Sequence, residues 1–243
     1  MRFFRKAEVG RFPLMLLMNV MLAMAGNAEA EPMSSKERAV VPIAAFTASG
    51  DIPRLEAALV EGLEAGLTVN EIKEVQVQMY AYAGFPRSLN GLGAFERVLK
   101  ERQARGVSDP LGREASALPE GLDRNAYGAR VRADLSAQRE IPPPAGYAVF
   151  APVIDDFLKE HLFADIFARD VLDRKTRELA TISALASLTG TEAQLHAHLG
   201  LSLNVGWSEA QLSDYVSVLK ARVGVAESKR AAEALRQVLE SRR

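Results

Sequence analysis

Apolar residues recur along this chain at helical spacing from about residue 36 to the end. The alternating apolar–polar runs bounded by turns that mark strands are missing. The pattern predicts an all-α protein, and it repeats. Residues 36–103 and 176–243 superimpose without a gap at a shift of 140: Gly50 falls on Gly190, Leu55 on Leu195, Leu59 on Leu199, Gly66 on Gly206 and Gly84 on Gly224. Identity between the copies is low, but the punctuation agrees. Each copy reads as four helices separated by glycine-containing turns. Gly66 and Gly206 stand where a helix C-terminus calls for a positive φ. Thr68-x-x-Glu71 and Ser208-x-x-Gln211 follow them in register as capping boxes.

The intervening segment, 104–146, is broken by Gly106, Pro110, Gly112, Pro119, Gly121 and the run Pro142–Pro144. One helix is expected inside it, from about Asp123 to Arg139, and a stiff extended end at the prolines. A further helix is expected over Ile154–Phe167 with Phe157, Phe163 and Phe167 as its apolar anchors. Asp173 then reads as the N-cap of the next helix. The expected organisation is a leader (1–30), repeat 1 (31–103), a connection (104–146) and repeat 2 (147–243).

The leader has its own signature. Arg2, Arg5, Lys6 and Arg11 precede an apolar run from Pro13 to Ala25, too short for a bilayer span, and Ala28-Glu29-Ala30 supplies a small-x-small cleavage site. This is the pattern of a cleavable signal peptide, with a mature start near Glu31 and a periplasmic or secreted destination. An uncleaved N-terminal anchor is the alternative. Once the signal is removed, no membrane association is expected.

Composition narrows the chemistry. The 243 residues carry a formal net charge of -1, which argues against nucleic acid as a partner. There is no cysteine, so disulfides, thiolate metal sites and thiol catalysis are excluded. Two polar residues stand out in repeat 2. Leu179, Ile182, Leu185 and Ala186 share a helix face with Glu178 in its middle. Leu195, Leu199, Leu201 and Val205 mark an apolar face on the following helix that contains His198. A carboxylate and an imidazole directed at a core are costly unless they pair or serve a site. Together they form a candidate general acid/base couple, or else a buried structural hydrogen bond. His196 points about 200° away from His198 on an unbroken helix, so the two cannot share a metal. With His161 the only other histidine, no metal site is expected. Repeat 1 has Arg38 and Ala58 where repeat 2 has Glu178 and His198, so any such site occurs once per chain. Repeat 1 instead carries Met79-Tyr80-Ala81-Tyr82-Ala83-Gly84-Phe85-Pro86, whose aromatics either line a pocket facing the pair or are plain core.

The stretch Arg177-Glu178-Leu179-Ala180-Thr181 through Gln194-Leu195-His196-Ala197-His198-Leu199 to Asn204-Val205-Gly206 resembles the carboxymuconolactone decarboxylase family. So do Tyr82–Pro86 through Asn90 and the segment Glu160–Arg169. The resemblance implies an all-α, alkylhydroperoxidase-D-like bundle of two tandem repeats, assembled into a homo-oligomer such as a trimer or a hexamer-like ring. It maps the family's histidine onto His198 and its glutamate onto Glu178. The peroxidase branch of the family uses a Cys-x-x-Cys pair where this chain reads Thr189-Gly190-Thr191-Glu192-Ala193-Gln194, so a thiol peroxidase is chemically excluded. The decarboxylase branch typically has tryptophan at the positions of Phe163 and Phe167 and glycine at Ala164, which implies an altered pocket. The resulting expectation is a small carboxylated or lactone-type substrate handled by His198 and Glu178. Arg169 or Arg177 would hold a substrate carboxylate, Tyr82 and Phe163 would line the pocket, and no cofactor would be needed. A non-catalytic binding or scaffold protein of the same fold is the alternative.

Overall fold

The computed structural model describes Met1 and residues 31–243. The expected signal peptide, with its cleavage site at Ala28–Ala30, lies outside the described residues. Among those residues every regular element is helical, and none of the helices is long and apolar enough to cross a membrane.

Repeat 1 comprises α1 (Ser35–Ser49), α2 (Ile52–Glu64), α3 (Val69–Ala83) and α4 (Phe85–Ala104). The connection carries α5 (Arg124–Leu135) and a short α6 (Tyr147–Phe150). Next come α7 (Pro152–Phe157), which continues as a π-helix over Leu158–Ile166, and α8 (Arg174–Ser187), which opens repeat 2. Repeat 2 goes on with α9 (Glu192–Asn204), α10 (Glu209–Val218, then a π turn over Leu219–Val223) and α11 (Val225–Ser241). The helices of the two copies therefore correspond one to one at the 140-residue shift. The local signals behave as their chemistry demands. Gly66 and Gly206 sit at φ 92° and 101°. Both boxes close reciprocally, Thr68 with Glu71 and Ser208 with Gln211. Asp173 caps α8 by accepting from the Thr176 N–H.

The two copies meet through their first helices, α1 on α8, and each also packs on the partner copy's third helix, α1 on α10 and α8 on α3. This double use explains why α8 is buried from Arg177 to Ala186 without an outer face. A single apolar core joins both repeats. A second, smaller core forms where α5 lies against the π-helix: Val131 and Leu135 meet Leu162, Phe163, Ile166 and Phe167. Tyr82 and Val205 touch both cores, so the seam between them runs past α3, α8 and α9.

Three expectations need correction. The connection helix stops at Leu135 rather than Arg139; Ala137 takes a positive φ and Gln138 donates back to the Ala133 carbonyl, which ends the helix. The expected helix over 154–167 begins at Pro152 and is mostly wound as a π-helix. Phe157 is no anchor. It is 61% exposed, because α5 is contacted by the face that bears Leu162, Phe163 and Ile166.

The close approach of α5 to this helix depends on Gly128, where a Cβ would overlap the backbone carbonyl of Lys159. Gly128→Ala should therefore cost at least the roughly 1–3 kcal/mol typical of overpacking, although alanine is the better helix former. A denaturant midpoint equal to that of wild type would show that α5 does not need this contact.

Candidate functional site

Three polar residues one turn apart on α3, Glu74, Gln78 and Tyr82, face Arg177, Glu178 and Thr181 on α8. The upper part of this seam is densely bonded, with Arg177 Nε alone left without a partner among its charged groups. Arg177 is fully buried and donates to Gln78 Oε1 at 3.0 Å, Glu74 Oε2 at 3.0 Å and the Arg169 carbonyl at 2.6 Å. Gln78 in turn donates to the Arg177 carbonyl and Thr181 Oγ1, each at 2.9 Å. Arg169 forks onto both oxygens of Glu74.

This arrangement bears on the expectation that Arg169 or Arg177 holds a substrate carboxylate: Arg177 is enclosed, whereas Arg169 keeps 42% of its side chain exposed. One internal carboxylate, Glu74, already takes both guanidiniums, and Arg177 has no exposed surface. Helical periodicity identifies which residues share a face, but Glu74 lies 103 residues from Arg177.

Burial pushes the Glu74 carboxyl upward. The hydrogen bonds and charges of Arg169 and Arg177 outweigh it and leave the group below its ordinary value of 4.5. A carboxyl held low in the folded state stabilises it fully above the unfolded value. That contribution is lost as pH falls through the folded value. The melting temperature should accordingly drop on acidification below about pH 4, and Glu74→Gln should lower the plateau and flatten the drop. An acid limb identical in both proteins would remove Glu74 from the account.

The lower part of the seam is different. Glu178 is fully buried on α8, and its Oε2 lies 2.8 Å from His198 Nδ1 on α9. Because a carboxylate accepts, Nδ1 donates, and this leaves Nε2 as the outward nitrogen. Among the described residues Nε2 makes no hydrogen bond, and the side chain retains 13% exposure. Ser202 Oγ donates to the His198 carbonyl at 2.8 Å. The Tyr82 ring stands edge-on to the imidazole, with centroids 5.8 Å apart. Its hydroxyl is pushed to a higher pKa by burial first and by the Glu178 charge second.

Glu178 Oε1, Arg177 Nε and Tyr80 Oη are buried without a hydrogen-bond partner, and Tyr82 Oη has only Thr181 beside it. Each costs about 1–3 kcal/mol if left dry. The Phe163 and Phe167 rings lie tilted against each other with centroids 5.5 Å apart, and Phe167 lies under the Arg177 guanidinium at 6.0 Å. Among the described residues the His196 side chain makes no hydrogen bond to the pair, and His161 is tied to Asp165 at 2.9 Å. The structure thus brings together Glu178, His198 and Tyr82. Phe163 packs in the second core behind them.

A sequence profile of the carboxymuconolactone decarboxylase family matches residues 16–97 and 152–237, most of the chain in two copies. The chain belongs to the carboxymuconolactone decarboxylase family. No curated protein matches it. The two matched regions fall on the two helical repeats, and the second takes in α7 and the π-helix, which carry Phe163. As a carboxymuconolactone decarboxylase family member without cysteine, it has threonines, Thr189 and Thr191, on the turn into α9.

A residue that sequence reasoning missed lies beside this turn. Arg87, near the start of α4, donates to the Ala48 carbonyl and has no carboxylate within ion-pair distance among the described residues. Its position directly after Gly84-Phe85-Pro86, in the stretch that carries the family resemblance, was the available signal.

Proposed function

We propose that this protein acts on a small carboxylated or lactone-type molecule by acid–base chemistry at His198, oriented by Glu178. One observation carries the reading: a fully buried carboxylate fixes Nδ1 and leaves Nε2 uncommitted amid buried polar atoms that have no partner of their own. Unpaired groups of this kind are concentrated at functional sites. Decarboxylation or isomerisation of a conjugated lactone needs one proton moved at carbon. The electron pair is held meanwhile in the lactone carbonyl's own conjugation. Nε2 gives or takes that proton, while the Glu178–Nδ1 bond holds the ring and stabilises its charged form. This chemistry uses no metal or organic cofactor.

The test is turnover of a panel of carboxylate-bearing butenolides and γ-lactones, followed by chromatography and carbon dioxide release. Turnover abolished in His198→Ala supports the reading. Wild-type protein that binds these compounds and leaves them intact points to the alternative, a non-catalytic binding or scaffold protein.

Two further parts of the proposal rest on sequence and surface. The Arg-rich start, the apolar run and Ala28-Glu29-Ala30 favour export, with the mature chain starting near Glu31. N-terminal sequencing of the exported protein checks this, and an intact Met1 there contradicts it. The chain is also proposed to form a homo-oligomer. Tyr147, Val149, Phe150, Val153, Ile154 and Phe157 expose an apolar strip on α6 and α7, the kind of surface that subunits cover. Light scattering that returns the mass of one chain at micromolar concentration contradicts it.

A further inference from the structure

The Tyr82 ring has two sides. One faces His198. The other lines an open cleft of ≈ 550 Å³ between the two repeats, walled by Tyr82 and Arg87 from repeat 1 and by Ser187, Leu188, Thr189 and Thr191 from repeat 2. That volume suits a small metabolite. The wall has one cation and no carboxylate. Four other clefts each include at least one acidic residue: Glu71 and Asp170 in one, Asp109, Glu74 and Asp155 in the others. Where those clefts hold cations, as with Lys36, Arg113, Lys73, Arg169 and Arg132, a carboxylate shares the wall with them.

The cleft has no counterpart of like charge at the pseudo-equivalent end of the molecule. At the 140-residue shift Arg87 becomes Glu227 and Tyr82 becomes Arg222. There Arg54 lies over the Phe46 ring at 4.2 Å and donates to the carbonyls of Arg222 and Val223. At that end the guanidinium is committed to a ring and two carbonyls, whereas Arg87 gives one hydrogen bond, to the Ala48 carbonyl.

We propose that this cleft is the docking subsite for a carboxylate of the ligand, with Arg87 holding it by charge-assisted hydrogen bonds. The Arg87 guanidinium offers five donors, of which the Ala48 carbonyl takes one. An anchored carboxylate leaves the body of a small molecule against Leu188 and the Tyr82 ring, one ring away from the His198 imidazole. The Tyr82 hydroxyl has only Thr181 beside it, whose own hydroxyl is already given to the Arg177 carbonyl, so the partition can yield to a ligand. The proposal rests on the reading that Glu178 and His198 are the reactive pair, and it names the cation that Arg169 and Arg177 do not supply.

The probe is 5-oxotetrahydrofuran-2-carboxylate, with its methyl ester as the neutral control. Binding is measured by calorimetry and by amide chemical-shift changes in the full protein. The acid should bind and the ester should bind at least about tenfold more weakly, as expected for loss of a hydrogen bond to a charged group. Shift changes should centre on Tyr82, Thr189 and Thr191. Arg87→Gln should weaken acid binding by about tenfold or more without changing ester binding, and Arg87→Lys should recover part of the loss. A thermal melt of each variant shows that the fold is kept when the Ala48 carbonyl loses its donor. Acid and ester binding equally well, or shift changes centred on the Arg169–Glu74 groove, would overturn the proposal. Binding lost in Arg87→Gln with no turnover of the carboxylate-bearing butenolides by wild type would leave the cleft standing and remove the acid–base reading. Turnover at unchanged KM in Arg87→Gln would do the reverse.

Discussion

His198→Ala is expected to lower turnover of the protein's substrate by about 10²–10⁴-fold, the usual cost of removing a positioned acid/base group, while His196→Ala leaves most of it. The two residues differ in position alone. His198 donates through Nδ1 to a fully buried carboxylate and lies against Tyr82. His196 is two positions away on α9 and points elsewhere. The loss should appear mainly in kcat, because Nε2 acts on the reacting atoms and not on the docked carboxylate. Removing the imidazole also strands the second oxygen of Glu178, so His198→Ala should lose about 1–3 kcal/mol of stability. His198→Gln keeps a donor near Glu178 and separates the two effects: stability mostly restored, activity still absent. Equal activity in His198→Ala and His196→Ala would mean that the pair is only a buried hydrogen bond.

Arg177→Met should be the most destabilising single change in the polar seam, at about 3–5 kcal/mol, the range for breaking a buried ion pair from one side. The guanidinium is wholly buried, and its loss leaves Gln78 Oε1 and the Arg169 carbonyl without donors. Arg169 would still hold Glu74 from the exposed side. At roughly 2–4 °C per kcal/mol for a domain of this size, the melting temperature should fall by roughly 6–20 °C. Removing the carboxylate as well, in Arg177→Met/Glu74→Leu, should recover a large part of the loss, since an apolar pair of similar volume often replaces a buried ion pair at little cost. A double variant no more stable than Arg177→Met would show that the burden lies on Gln78 and the Arg169 carbonyl instead.

Those features whose cause is local were legible in the sequence. The turns at Gly66 and Gly206, the boxes Thr68–Glu71 and Ser208–Gln211 and the Asp173 cap are each decided within four residues, so the repeated helical unit could be read. Glu178 and His198 were also visible, because each interrupts an apolar face of its own helix and two such interruptions have few ways to be satisfied. What distance along the chain conceals is who satisfies whom. Arg177 was read as a free cation because its partners, Glu74 and Gln78, come from the other repeat. Arg87 went unread because a half-buried arginine in the first turn of α4 interrupts no apolar face. Phe157 was assigned inward by a helical period that the π-helix after it does not keep.

The most direct measurement is proton exchange at substrate carbon, followed by proton NMR of a carboxylate-bearing butenolide in deuterium oxide. The account predicts that wild-type protein and His196→Ala accelerate replacement of the ring protons by deuterium, and that His198→Ala does not. Exchange by His198→Ala at the wild-type rate would contradict it.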